Sequence, residues 1–96
     1  MIRHIVLFRA RNSSDAEIIR DGLRNLQAIQ DASLIEVEYN ERIDSWSHEI
    51  DVVVYGEFED EEALAKFKQN PIYEESIKIV KPLRDLRIAA DYRVRD

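Results

Sequence analysis

Asp51-Val-Val-Val-Tyr-Gly-Glu-Phe58 runs without a linker into Glu59-Asp-Glu-Glu-Ala-Leu-Ala-Lys-Phe67, and the reading of this stretch decides the fold. Its first half is β-branched and aromatic, the composition of a buried pleated strand. The acidic residues that follow suit the free amides and positive dipole end of a helix N-terminus. Ala63, Leu64 and Phe67 give that helix a buried face, while Glu62 and Lys66 make an i,i+4 pair on the wet side. Asn70-Pro71 stops it and starts a further short helix, with Asn70 as N-cap and Pro71 at the first helical position. Tyr73, Ile77 and Val80 are the expected inner face of that helix.

Toward the N-terminus, Ile2 to Ala10 reads as a strand, and the unbroken Ile5-Val-Leu-Phe8 makes it a central one buried on both faces. His4, Val6 and Phe8 share one face; Ile5 and Leu7 share the other. Ser14-Asp-Ala-Glu17 has the spacing of a capping box, and Ile19, Leu23, Leu26 and Ile29 continue from it as one apolar helical stripe. Gly22 inside that stripe costs about 1 kcal/mol against alanine, so it either permits close packing or is merely tolerated. Leu34 to Tyr39 alternates Ile35, Val37 and Tyr39 with Glu36 and Glu38, as a half-exposed edge strand does. Asn40 to Glu49 is too polar for a strand interior and is expected to be a long connection carrying Trp46 and His48. At the C-terminal end, Leu86, Ile88, Ala90, Tyr92 and Val94 alternate with Arg87, Ala89, Asp91 and Arg93 in a closing strand.

Ninety-six residues at 45% hydrophobic content make one domain, residues 1–96, with a modest core. The formal charge of -6, with both signs mixed along the chain, excludes the basic surface that nucleic-acid or anionic-membrane binding needs. Without cysteine there is no disulfide framework, thiolate metal site or thiol nucleophile, which fits a cytoplasmic location. Met1 to Arg9 holds only a four-residue apolar run, too short for a signal-peptide core or a membrane span.

Strand, helix, strand, strand, helix, strand is the ferredoxin-like order: an α+β fold with an antiparallel sheet and helices on one face. The expected helix-side face carries His4, Val6, Phe8, Val52, Val54, Phe58, Leu86, Ile88 and Tyr92. The other carries Ile5, Leu7, Leu34, Val53, Tyr55 and Ala89, rimmed by Glu36, Glu38, Glu57, Arg87 and Arg93. An apolar sheet face of this kind is an association surface, and sheet-to-sheet pairing into a homodimeric barrel follows as the expectation.

Arg3-His-Ile-Val-Leu-Phe8, Asp51 to Phe58, the Glu62-Ala-Leu-x-x-Phe67 helix, Asn70-Pro-Ile-Tyr73 and Ala90-Asp-Tyr92, taken in order, resemble the stress-responsive dimeric α/β-barrel (Dabb) family over nearly the whole chain. The resemblance implies a homodimeric ferredoxin-like barrel with a pocket between sheet and helices and no cofactor. Val6, Phe8, Val52, Val54, Phe67 and Asn70 are then the expected ligand-binding residues. Most of the family has no known activity. A minority, similar to the plant polyketide cyclase that forms olivetolic acid, uses pocket histidines and a tyrosine to abstract a proton and close a ring. This chain departs from that pattern: the usual His-Pro-x-His stop has Asn70 and Tyr73 at its histidine positions, and the cyclase's central-strand histidine falls at Val52. Tyrosine, with a pKa near 10, is a poor base at neutral pH, although it donates well to a developing oxyanion.

His4 and Tyr73 remain as the catalytic candidates. One reading has His4 as acid or base on a small carbonyl or phenolic ligand, oriented by Tyr73. The other has a core histidine bonded to a backbone carbonyl or to Tyr73, with Asn70 only a cap. Trp46 and His48 form either a lid or, respectively, an anchor at the dimer seam and a solvated side chain. The acidic run Glu57 to Glu62 is explained by the helix dipole, and no metal site is assigned to it. Three functions stay open: a pocket protein for a small apolar or aromatic metabolite, a cofactor-free cyclase, isomerase or monooxygenase, and a self-assembling structural protein.

Overall fold

The computed structural model describes residues 1–95. Strands β1 (Ile2–Ala10), β2 (Leu34–Tyr39), β3 (Val52–Phe58) and β4 (Arg84–Arg93) form an antiparallel sheet in the order β2-β3-β1-β4. Helix α1 (Ala16–Arg24) connects β1 to β2, and α2 (Glu61–Gln69) and α3 (Pro71–Val80) connect β3 to β4. Each connection joins two parallel strands across an intervening one. The two units run in opposite directions, so the right-handed rule for such crossovers puts all three helices on one sheet face. This is the ferredoxin-like fold expected from the sequence.

The local signals at α2 and α3 act as read. Asp60 Oδ1 accepts from the Ala63 amide at 2.8 Å, and Asn70 Oδ1 accepts from the Ile72 amide at 2.9 Å, with Pro71 opening α3. The capping box at Ser14 does not form. Ser14 instead donates its hydroxyl to Asn12 Oδ1 at 2.8 Å, and Asn12 caps a short 3-10 turn, Ser13–Asp15, ahead of α1. Helix α1 also ends at Arg24, where a second 3-10 turn, Asn25–Ala28, takes over. The tighter winding still buries the whole stripe of Ile19, Leu23, Leu26 and Ile29.

Gly22 permits close packing. A Cβ there would lie 2.9 Å from Ile79 Cγ2 on α3, and Ser76 of α3 donates its hydroxyl to the Gly22 carbonyl at 3.1 Å. Helices α1 and α3 therefore meet backbone to side chain, and together with Phe67 of α2 they close over the buried row of Val6, Phe8, Val52, Val54 and Phe58.

The faces of β4 differ from the sequence reading. Its register places Ile88 beside Leu7, Ala90 beside Ile5 and Tyr92 beside Arg3, all on the open face together with Leu86. Arg87, Ala89, Asp91 and Arg93 lie on the helix side, paired with Phe8, Val6, His4 and Ile2. The period-two pattern holds, but its apolar row faces outward and not inward as the sequence alone suggests. As an edge strand β4 has little helix above it, so its helix-side row stays wet and polar while its apolar row joins the open face.

Candidate functional site

Between the sheet and the helices lies a cavity of about 350 Å³, within the size range of small-molecule sites. Its floor is His4, Val6 and Phe8 of β1 with Val54 of β3. Leu23 and Leu26 form one wall, and Phe67, Tyr73, Ser76, Ile77 and Val80 form the other. The opening is bordered by Lys81, Arg84 and Arg87. The interior is thus apolar, with a few polar groups that converge on it.

His4 is the titratable group on the floor, only 3% exposed. Its Nδ1 is hydrogen-bonded to the Asp91 carboxylate of the neighbouring strand. Burial pushes its pKa below the ordinary 6.5, while the bond to Asp91 pulls the other way without overcoming it. At neutral pH the ring is therefore neutral. The carboxylate fixes the remaining proton on Nδ1 and leaves Nε2 as the acceptor. Such a nitrogen takes a hydrogen bond from a ligand hydroxyl or, as a general base, removes its proton.

An aromatic chain holds the two ends of the site. His4 meets Phe58 edge to face at 6.2 Å, Phe58 meets Phe67 at 5.0 Å, and Phe67 meets Tyr73 at 5.5 Å. Gly56 makes this possible, since a Cβ there would sit 2.9 Å from the Phe58 ring. Tyr73 therefore lines the cavity, but His4 takes Asp91 rather than Tyr73 or a backbone carbonyl as its partner.

Of the residues expected at the pocket, Val6, Phe8, Val54 and Phe67 line the cavity with His4 and Tyr73. Val52 does not; it is fully buried opposite Phe8, two pairs along the β1–β3 ladder from Val54. Asn70 also lies outside the lining and serves as the α3 cap. Trp46 and His48 do not close over the cavity, and Trp46 stands 94% exposed on the β2–β3 connection. In the acidic run, Asp60 is a cap, Glu61 pairs with Arg93, Glu62 with Lys66, and Glu57 accepts from Tyr55. Sequence reasoning missed Asp91, Ser76 and the three cations. Ser76 was within reach, lying one helical step from Tyr73 on the same face. Asp91 was hidden by the inverted face of β4.

Burial of His4 links stability to pH. The unfolded chain binds more protons than the folded one as pH falls through about 6.5, so this contribution is full above that value and is lost toward acid. Urea unfolding at fixed protein concentration should show the midpoint falling more steeply between pH 7.5 and 5.5 in the native protein than in His4→Gln. Equal slopes would contradict the assignment.

A four-stranded ferredoxin-like sheet roofed on one side by helices, with an apolar cavity between the layers, defines the class of protein. The chain belongs to the stress-responsive A/B barrel domain (Dabb) family, whose model matches residues 2–94. Among solved structures it is similar to At3g17210 of Arabidopsis thaliana, at 19% identity and a TM-score of 0.80, covering 100% of this chain and 97% of that one. A dimeric ferredoxin-like protein of unknown function from Thermobifida fusca matches at 21% identity and a TM-score of 0.81, covering 97% of this chain and 90% of that one. An antibiotic biosynthesis monooxygenase matches at 12% identity and a TM-score of 0.79 over 100% of both chains. No curated protein matches the sequence. No helix among the described residues is long and apolar enough to cross a membrane.

Proposed function

We propose that this protein is a homodimeric stress-responsive barrel whose cavity binds a small apolar or aromatic metabolite. The observation that carries the reading is the cavity of about 350 Å³ itself, lined mostly by apolar side chains with His4 and Tyr73 among them as polar groups that could orient a ligand. Cores of small domains are ordinarily packed without such space, because each void forfeits dispersion contacts. A cavity left open here is best explained by an occupant.

Support for the dimer comes from the sheet face turned away from the helices. Ile5, Leu7, Val53, Tyr55, Leu86, Ile88, Ala90 and Tyr92 share it, and Ile88 is 50% exposed in the single chain. Its cations are Arg3 and Arg9; Arg87 and Arg93, expected at its rim, lie on the helix side. A self-complementary two-fold pairing covers such a face. The Thermobifida fusca protein of the same fold is a dimer.

A second reading is favoured by the His4–Asp91 pair: a cofactor-free enzyme in which His4 removes a proton and Tyr73 donates to the oxyanion that forms. A carboxylate that fixes the histidine tautomer is what a general base needs, and a merely structural histidine does not require one.

The test uses the neutral fluorophore N-phenyl-1-naphthylamine. The native protein should bind it saturably, at one per chain. Ile77→Trp, which fills the mouth from a half-exposed position, should weaken that binding at least about tenfold while the protein stays folded. Absence of saturable binding, or unaltered binding in the variant, would overturn the pocket reading.

A further inference from the structure

Lys81, at the end of α3, and Arg84 and Arg87, on β4, converge on the cavity mouth of a chain with 20 acidic and 14 basic residues. No Asp or Glu among the described residues lines the cavity. Among the described residues, none of the three cations forms an ion pair, whereas Arg9, Arg24, Arg42 and Arg93 all do. Asp91, on the same side of β4 as Arg87, is turned to His4.

The placement of the two arginines is built into the strand. Residues three apart on a regular strand point to opposite faces. Here the β1–β4 register shifts between Arg9 and Ala10: Arg9 pairs with Leu86 and Ala10 with Arg84, so Asp85 is skipped. Asp85 leaves the ladder to bind Arg9 at 2.8 Å, and Arg84 comes round to the helix side with Arg87. Bulges of this kind re-aim side chains beside binding sites.

Resting on the cavity being a ligand site, we propose that its ligand is a singly charged apolar acid. Its aliphatic or aromatic body lies among Phe8, Leu23, Leu26 and Phe67, and its carboxylate lies against Lys81, Arg84 and Arg87. Guanidinium groups match the planar carboxylate bidentately, and the apolar wall behind them strengthens the pairing. A cavity of about 350 Å³ stands at the small end of the range for ligand sites, which suits one ring system or a medium chain.

The experiment is displacement of N-phenyl-1-naphthylamine by octanoate and by octan-1-ol, which share a chain and differ in charge. At low ionic strength, octanoate should displace the fluorophore at a concentration at least about tenfold lower than the alcohol. Added salt should narrow that difference. In Arg84→Gln/Arg87→Gln, checked for folding by circular dichroism, the preference should fall below about threefold. Equal displacement by acid and alcohol, or a preference that survives the double substitution, would overturn the anion assignment and leave the pocket standing. A native protein that does not bind the fluorophore at all would remove the pocket and this inference together.

Discussion

Val53→Asp is expected to leave the protein as a single chain of 11.3 kDa in sedimentation, where the native protein should sediment at twice that mass. Val53 lies in the middle of the open sheet face, beside Leu7 of β1 and Glu38 of β2. In the separated chain it is only partly buried, so the carboxylate keeps water and the fold tolerates it. In a sheet-paired dimer the same carboxylate would be desolvated next to Glu38, with Arg9 on the adjacent strand already engaged by Asp85 and Glu49. An uncompensated buried charge costs several kcal/mol, and the two-fold axis imposes it twice. Circular dichroism of the variant should match the native protein, which separates lost association from lost folding. An unchanged sedimenting mass would show that this face is not the interface.

Phe67→Ala should have the largest effect on stability. The side chain is 1% exposed and packs edge to face between Phe58 and Tyr73, at 5.0 and 5.5 Å. Truncating a buried phenylalanine costs about 3–5 kcal/mol, since the transferred area and the remaining void both count. This position is at the severe end because it already borders a cavity, so the removed ring would merge into existing space. Native domains have only about 5–15 kcal/mol of stability in total. The thermal midpoint of a domain this size should fall by at least about 12 °C. A loss below about 1 kcal/mol would mean that the aromatic chain from His4 to Tyr73 does not hold the site together. The same substitution should also weaken N-phenyl-1-naphthylamine binding, because the Phe67 ring is part of the cavity wall.

Much of this fold was legible because its local signals agree with one another. Asp51 to Phe67 declared a strand and a helix, and Asn70-Pro71 declared both a stop and a start; each sits where the residue chemistry puts it. The N-terminus of α1 was misread because Ser14 and Glu17 have capping-box spacing, yet Asn12 offers Ser14 a nearer acceptor. Alternation in β4 was visible, but its inward or outward sense was not. Period two fixes which residues share a face, and only pairing with β1 says which face that is. That one inversion concealed Asp91 as the partner of His4. It also put Tyr92 on the helix side, whereas Tyr92 lies on the open face and accepts from Arg3 at 3.2 Å. Of the cations at the cavity mouth, Arg87 was hidden by the same inversion and Arg84 by the shift at Asp85, which breaks the alternation by which faces are read.

A sheet-paired homodimer whose cavities hold a small apolar ligand makes one direct prediction of mass. Native mass spectrometry of the protein purified from its own host tests it most directly, because one spectrum reports both association and retained molecules. The expected spectrum shows an ion at twice the 11.3 kDa chain mass carrying a discrete additional mass that is released on activation. A bare single-chain ion under the same conditions would contradict it.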